Sequence, residues 1–176
     1  MHYLGTDMST ELLTEAFGRI SAVVHSALNG ASIEVLTFRV DPGANTMAWL
    51  IWHLTRVQDG HIAELMDQEQ VWITDSWGDR FALPFDPEAT GYRQSASDVA
   101  AVRVDAELLG GYYDAVHART IGYLQTLTDA DFARIVDMAW DPPVTLLVRL
   151  VSVLSDDLQH AGQASYVRGL AMRAGL

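Results

Sequence analysis

The chain contains no cysteine. That excludes a disulfide framework, a cysteine-based zinc site, an iron–sulfur cluster and a catalytic thiol of the protein's own. Any thiol chemistry must use a thiol that arrives from outside. Basic residues are scarce, 11 against 23 acidic ones in 176, for a formal net charge of −12. A surface of that sign repels phosphate, which argues against nucleic acid and against polybasic membrane contact as partners. Long hydrophobic runs are missing as well. The longest, Met47–Trp52 and Val144–Leu150, fall far short of the roughly 18 apolar residues of a membrane span, and Arg149 interrupts the second. The first residues carry Asp7 and Glu11 rather than a basic leader, so no secretory signal is expected and the cytoplasm is the expected location. There is no Gly-x-Ser-x-Gly elbow, no phosphate-binding glycine loop and no dinucleotide fingerprint. Acidic residues are plentiful enough for a glycosidase pair, but nothing singles one out.

What is present reads as a globular, all-α chain forming one domain, with 49% apolar and 19% charged residues. Hydrophobic spacing predicts four long helices. The first runs from about Ser9 to Leu28, with Ser9 as cap and a stripe through Leu12, Leu13, Ala16, Phe17, Ile20, Val23 and Val24. The second runs from about Asn45 to Gln68, is capped by Asn45 or Thr46, and is apolar around much of its circumference. The third runs from about Asp105 to Gln125 despite the tandem Gly110-Gly111. The fourth runs from about Thr145 to Met172, after Pro142-Pro143. A long irregular connection, Glu69 to Arg103, joins the second and third helices; it is aromatic and is expected to pack over the bundle. A shorter one, Asp129 to Pro143, includes a possible extended piece at Ile135–Met138. Together these describe a four-helix bundle, a fold whose sites are built from inward-facing side chains of neighbouring helices.

The local pattern that stands out is Asp156-Asp157-Leu158-Gln159-His160. Asp156 and His160 are four apart, so on a helix they share a face and can hold one metal ion. Six histidines and 23 acidic residues in 176 give about one such pair by chance, so the spacing alone is weak. Its setting is stronger, because both interrupt the apolar run Leu146, Leu147, Leu150, Val153, Leu154, Leu158. The competing reading is a solvated or hydrogen-bonded pair at the edge of that face. His53 follows six apolar residues and allows two readings also, a buried neutral histidine or a third ligand. Two histidines and a carboxylate leave an open position, as in a catalytic zinc site. His61, roughly 80° further round the helix, reads as a surface pair with Glu64. His117 reads likewise with Asp114, and His2 and His25 as incidental. Trp49 and Trp52 flank His53 and suit core packing, with a pocket wall as the alternative.

The stretch Asn45 to Leu54, taken with Asp156 to Gln163, resembles the DinB superfamily of metal-binding four-helix bundles. The middle stretch Arg80 to Phe85, Thr90-Gly91-Tyr92 and Val99 to Arg103 resembles its actinobacterial branch, and within it the mycothiol S-transferase type. The superfamily pattern has one histidine on the second helix and His-xxx-His on the last. His53 matches the first and His160 the last, while Asp156 stands where the middle histidine usually is. The resemblance therefore implies a metal site of His53, Asp156 and His160, most simply zinc, with iron, manganese or nickel compatible with the carboxylate. Asp157 is the alternative carboxylate. It also implies that mycothiol is a co-substrate, that the metal-activated thiolate attacks a small electrophile, and that homodimers occur. Trp49, Arg56 and Gln163 are the candidate substrate contacts, the latter two each lying three residues beyond a candidate histidine ligand. Two rival functions share these residues. One is a mycothiol-dependent isomerase of the maleylpyruvate type, or a metal hydrolase, on the same site. The other is a stress-associated binding protein without turnover.

Overall fold

The computed structural model describes residues 8–176. His2 and Asp7 therefore lie outside the described residues. Helix starts follow local capping chemistry. Thr46 Oγ1 accepts from the Trp49 amide at 3.1 Å and starts helix α3 (Met47–Met66), the successor of α1 (Met8–Leu28) and the short α2 (Ile33–Leu36). Asp105 does the same for α7 (Ala106–Leu124) through the Leu108 amide at 2.8 Å. Thr145 does it for α8 (Leu146–Arg173) through the Val148 amide at 3.3 Å. The four long helices are those predicted, each within two residues at either end. Ser9, expected at the cap, lies inside the first turn of α1.

Helices α1, α3, α7 and α8 form the bundle. Both α8 and α7 pack on α3 and on α1. The core takes Phe17, Ile20 and Val24 from α1, Leu50, Ile51 and Leu54 from α3, Tyr112 and Val116 from α7, and Leu150, Val153 and Ala164 from α8. Leu12, Leu147 and Leu158, predicted on apolar stripes, are exposed instead, because each lies about 100° off the line of its buried neighbours. Helix α3 is enclosed almost all round: fourteen of its twenty residues are buried, His53 among them. A histidine set in such a helix has little freedom to turn.

The connection between α3 and α7 is less irregular than predicted. It contains three short helices, α4 (Val71–Thr74), α5 (Trp77–Phe81) and α6 (Ala96–Ala101). It does pack over the bundle, with Trp72, Trp77 and Phe81 buried around Tyr112. This also explains Gly111 in the middle of α7. A Cβ there would sit 2.9 Å from the Trp77 ring, so only glycine admits the tryptophan. Before α8, β1 (Ile135–Asp137) pairs antiparallel with β2 (Val144–Thr145), bearing out the short extended piece. Among the described residues no helix is long and apolar enough to cross a membrane.

Candidate metal centre

His53 on α3 and Asp156 and His160 on α8 are brought together, with one ligand atom from each lying within 4.8 Å of the others. Helices α3 and α8 are direct neighbours, so the contact between them sets this geometry. The i,i+4 spacing leaves His160 Nε2 3.5 Å from Asp156 Oδ1. The two imidazoles meet edge to face with ring centres 4.8 Å apart.

The tautomers are set from behind. His53 Nδ1–H donates to the Thr90 carbonyl, which can only accept, so Nε2 is the free lone pair. His160 Nδ1–H donates to Gln163 Oε1 at 2.8 Å, which also leaves Nε2 toward Asp156. Asp156 Oδ2 is buried with no hydrogen-bond partner among the described residues. A buried carboxylate oxygen without a donor, beside two imidazoles, fits a cation, because such an acceptor is otherwise costly. Two imidazoles and a carboxylate are a donor set that suits a divalent metal ion.

Electrostatics separate the two histidines. Burial lowers the pKa of His53; the Thr90 bond and Asp156 oppose this, and the nearby His160 adds to it. His160 is raised, first by its interaction with Asp156, against the effect of burial. Burial acts to raise Asp156, but its contacts with His160, and the charges of His53 and His61, together bring it below the usual carboxylate range. The site is not sealed. His53 is buried, while the Asp156 and His160 side chains keep 34% and 18% of their surface.

Trp49 stacks on the His53 ring at 4.6 Å and 15°, and its indole N–H donates to Gln94 Oε1 at 2.7 Å. It also meets the His160 ring edge to face at 6.5 Å. Trp49 therefore does wall the site, while Trp52 packs into the core against Phe85. Gln163 stands beside His160 as an orienting partner.

Arg56 lies elsewhere. Its guanidinium is fully buried and donates to the carbonyls of Ala89 (3.2 Å) and Pro87 (3.0 Å), to Gln70 Oε1 (2.6 Å) and to the Tyr112 hydroxyl (3.4 Å). Its donors are spent on the connection, so it holds residues 87–89 rather than reaching a ligand. Asp157, the alternative carboxylate, also faces away. One position round the helix from Asp156, it is fully buried, near enough to Tyr113 for its charge to act on that hydroxyl. Burial first, and Asp156 second, push its pKa well up.

Three further features carry no sequence pattern of their own. The Thr90 carbonyl acts through backbone. Gly91 has φ +102°, and a Cβ there would sit 2.6 Å from His53 Nδ1 and 3.0 Å from the Trp49 ring. Only glycine brings the chain this close. A polar cluster extends the α3–α8 seam: Arg149 donates to His61 Nδ1 (2.8 Å) and to Asp137 Oδ2 (2.7 Å), with Glu64 at 3.6 Å from both His61 and Arg149. The His61–Glu64 pair is thus present, with Arg149 as an added member. Asp114 pairs with His25 at 2.8 Å, not with His117. His117 stacks on Tyr113 instead, with Nδ1 buried and unpartnered among the described residues.

The DinB superfamily profile matches residues 16–164. The chain belongs to the DinB superfamily. A crystal structure of a conserved protein from Enterococcus faecalis is similar at TM-score 0.89 and 30% identity, over 96% of this chain and 99% of that one. No curated protein matches this chain. In this DinB bundle the three candidate ligands all fall within the matched span.

Proposed function

We propose that this DinB protein is a metal-dependent thiol S-transferase that conjugates mycothiol to small electrophiles, with zinc held by His53, Asp156 and His160. The observation that carries this reading is the grouping of His53, Asp156 and His160, one ligand atom of each within 4.8 Å of the others, with a buried Asp156 Oδ2 that has no hydrogen-bond partner among the described residues. Three protein ligands and solvent access leave a coordination position for a substrate. The thiol and the reaction class rest on the resemblance of Asn45–Leu54, Asp156–Gln163 and the middle stretch to the mycothiol-using branch. The lack of cysteine is consistent with a nucleophile supplied by a small molecule.

A divalent ion held by His53, Asp156 and His160 would lower the pKa of a coordinated thiol, so that it would ionise near neutral pH. The remaining work belongs to the chain. Thr90 and Gln163 hold both imidazoles in the ligating tautomer. Trp49, pinned by Gln94 and stacked on His53, holds the His53 ring in place from the side. In the transfer, the sulfur lone pair forms a C–S bond, the leaving group departs with its electron pair, and the thiol proton passes to solvent.

The experiment has two stages. Elemental mass spectrometry of the purified protein should find about one zinc per chain, and much less in His53→Ala and His160→Ala. Mycothiol and a fluorogenic haloalkyl electrophile should then be consumed one for one, with loss on chelation and recovery on adding zinc. Thiol returned unconsumed would instead mark an isomerase. Full transferase activity in His160→Ala would overturn the metal-centred reading.

A further inference from the structure

We propose that the cavity between α3, α4, α5 and residues 82–89 is a binding site for a small organic cation with an apolar body. Its volume is about 490 Å³, within the range of small-molecule sites and far above the voids of a packed core. Its apolar walls are Trp52, Trp72, Leu83 and Phe85. Arg56 already sits over the Trp72 ring at 4.6 Å, so the aromatic walls left for a cation are Trp52 and Phe85, tilted at 46° with ring centres 5.6 Å apart. The charges at its rim have one sign: Asp79 and Asp86 are the charged residues of the lining, and both are exposed. Asp79 makes no hydrogen bond or ion pair among the described residues. Asp86 accepts from the Glu88 amide at 2.9 Å through one carboxylate oxygen, leaving the other available.

The neighbouring cations do not neutralise this rim. Arg80 follows Asp79 directly, yet its guanidinium sits over the Trp77 ring at 3.6 Å. Arg56 is buried beneath the same segment with its donors engaged. The backbone is also shaped at this cavity. Ser76 and Ala82, which bracket α5 and both line the cavity, hold φ of 55° and 46°. The whole chain adds a field of the same sign, at −12. None of His53, Asp156, His160 or Trp49 lines the cavity, so the inference stands apart from the metal reading.

Benzyltrimethylammonium chloride is the probe, because a quaternary nitrogen has no lone pair for a metal. Dimethylbenzylcarbinol, an uncharged alcohol of nearly the same shape, is its control. Titrations followed by the tryptophan indole N–H signals in nitrogen-15 NMR should shift Trp52 and Trp72 and leave Trp49 in place. The cation should bind at least about tenfold more tightly than the alcohol, the equivalent of one favourable charge contact. That preference should shrink to about twofold in Asp79→Asn/Asp86→Asn, with zinc content unchanged, and should weaken in high salt in the unaltered protein. Equal binding of cation and alcohol, shifts confined to Trp49, or no binding of the cation at millimolar concentration would overturn the proposal.

Discussion

Asp156 and Asp157 are neighbours in sequence and opposites in the fold. One joins two imidazoles at a partly open seam, while the other is buried without a partner among the described residues. The roughly 100° between successive helical residues separates them, and only the packing of α8 shows which one meets α3. Gly91 is the residue whose effect is most specific. Gly91→Ala forces φ +102° on a side chain and puts a methyl group 2.6 Å from His53 Nδ1. The expected result is loss of the Thr90 bond and a zinc affinity lower by about 10- to 100-fold, measured by competition with a chromogenic chelator. Folding, read by circular dichroism, should change little. His117 gives a pH prediction. Burial holds its pKa below the ordinary 6.5, with Asp114 opposing and His25 reinforcing the shift. The unfolded chain therefore binds the proton more readily, so the stability His117 contributes is present above pH 6.5 and is lost as pH falls through its folded value. His117→Phe keeps the stack on Tyr113 without a charge to gain. Urea melts between about pH 7 and 5 should show a shallower loss of stability in this variant than in the parent.

At the scale of elements, the connection between α3 and α7 is fastened to the bundle by buried polar groups. Asp59 accepts from the Val71 and Trp72 amides at 2.9 and 2.8 Å and from the Tyr112 hydroxyl at 2.8 Å. Arg56, 3.9 Å from Asp59, holds Pro87 and Ala89 from below. Thr90 and Gly91 follow directly, so Arg56 acts on His53 through the chain it anchors. All 11 basic residues are arginine, and others do similar work on backbone carbonyls. Arg39 joins Pro42 to Ala96, and Arg168 of α8 caps Ser26 and Asn29 at the end of α1. The planar, multiply donating guanidinium suits this task better than a lysine. Arg56→Met leaves the Asp59 charge buried without its cation. It should cost about 3–5 kcal/mol in urea unfolding. It should also lower zinc affinity, because residues 87–91 lose their anchor.

For the whole molecule, a metal at His53, Asp156 and His160 would tie α3 to α8, two helices separated by about eighty residues of chain. Binding to the folded state alone converts directly into stability. Free zinc at about 100 times its Kd should add about 2.7 kcal/mol. For a domain of this size that is a Tm rise of roughly 5–11 °C in a thermal melt. The rise should be absent in His53→Ala. It should also fade as pH falls through the value of His160, which Asp156 holds above 6.5, because protons then compete for Nε2.

The four helices are legible in the sequence, because caps at Thr46, Asp105 and Thr145 and the spacing of apolar residues are local signals. It also made His53, Asp156 and His160 candidates, since polar groups interrupting apolar helix faces need partners. It could not decide where Arg56 points, since a guanidinium three residues from a histidine can serve a ligand or a neighbouring segment. Nor could it show that a backbone carbonyl at Thr90 orients His53, because a carbonyl has no residue type. The tertiary structure decided both. The path of residues 82–94 across α3 is fixed by contacts distant in sequence: Gln94 on Trp49, Arg56 on Pro87 and Ala89, and Gly91 against His53. Those contacts exist only once the bundle has packed.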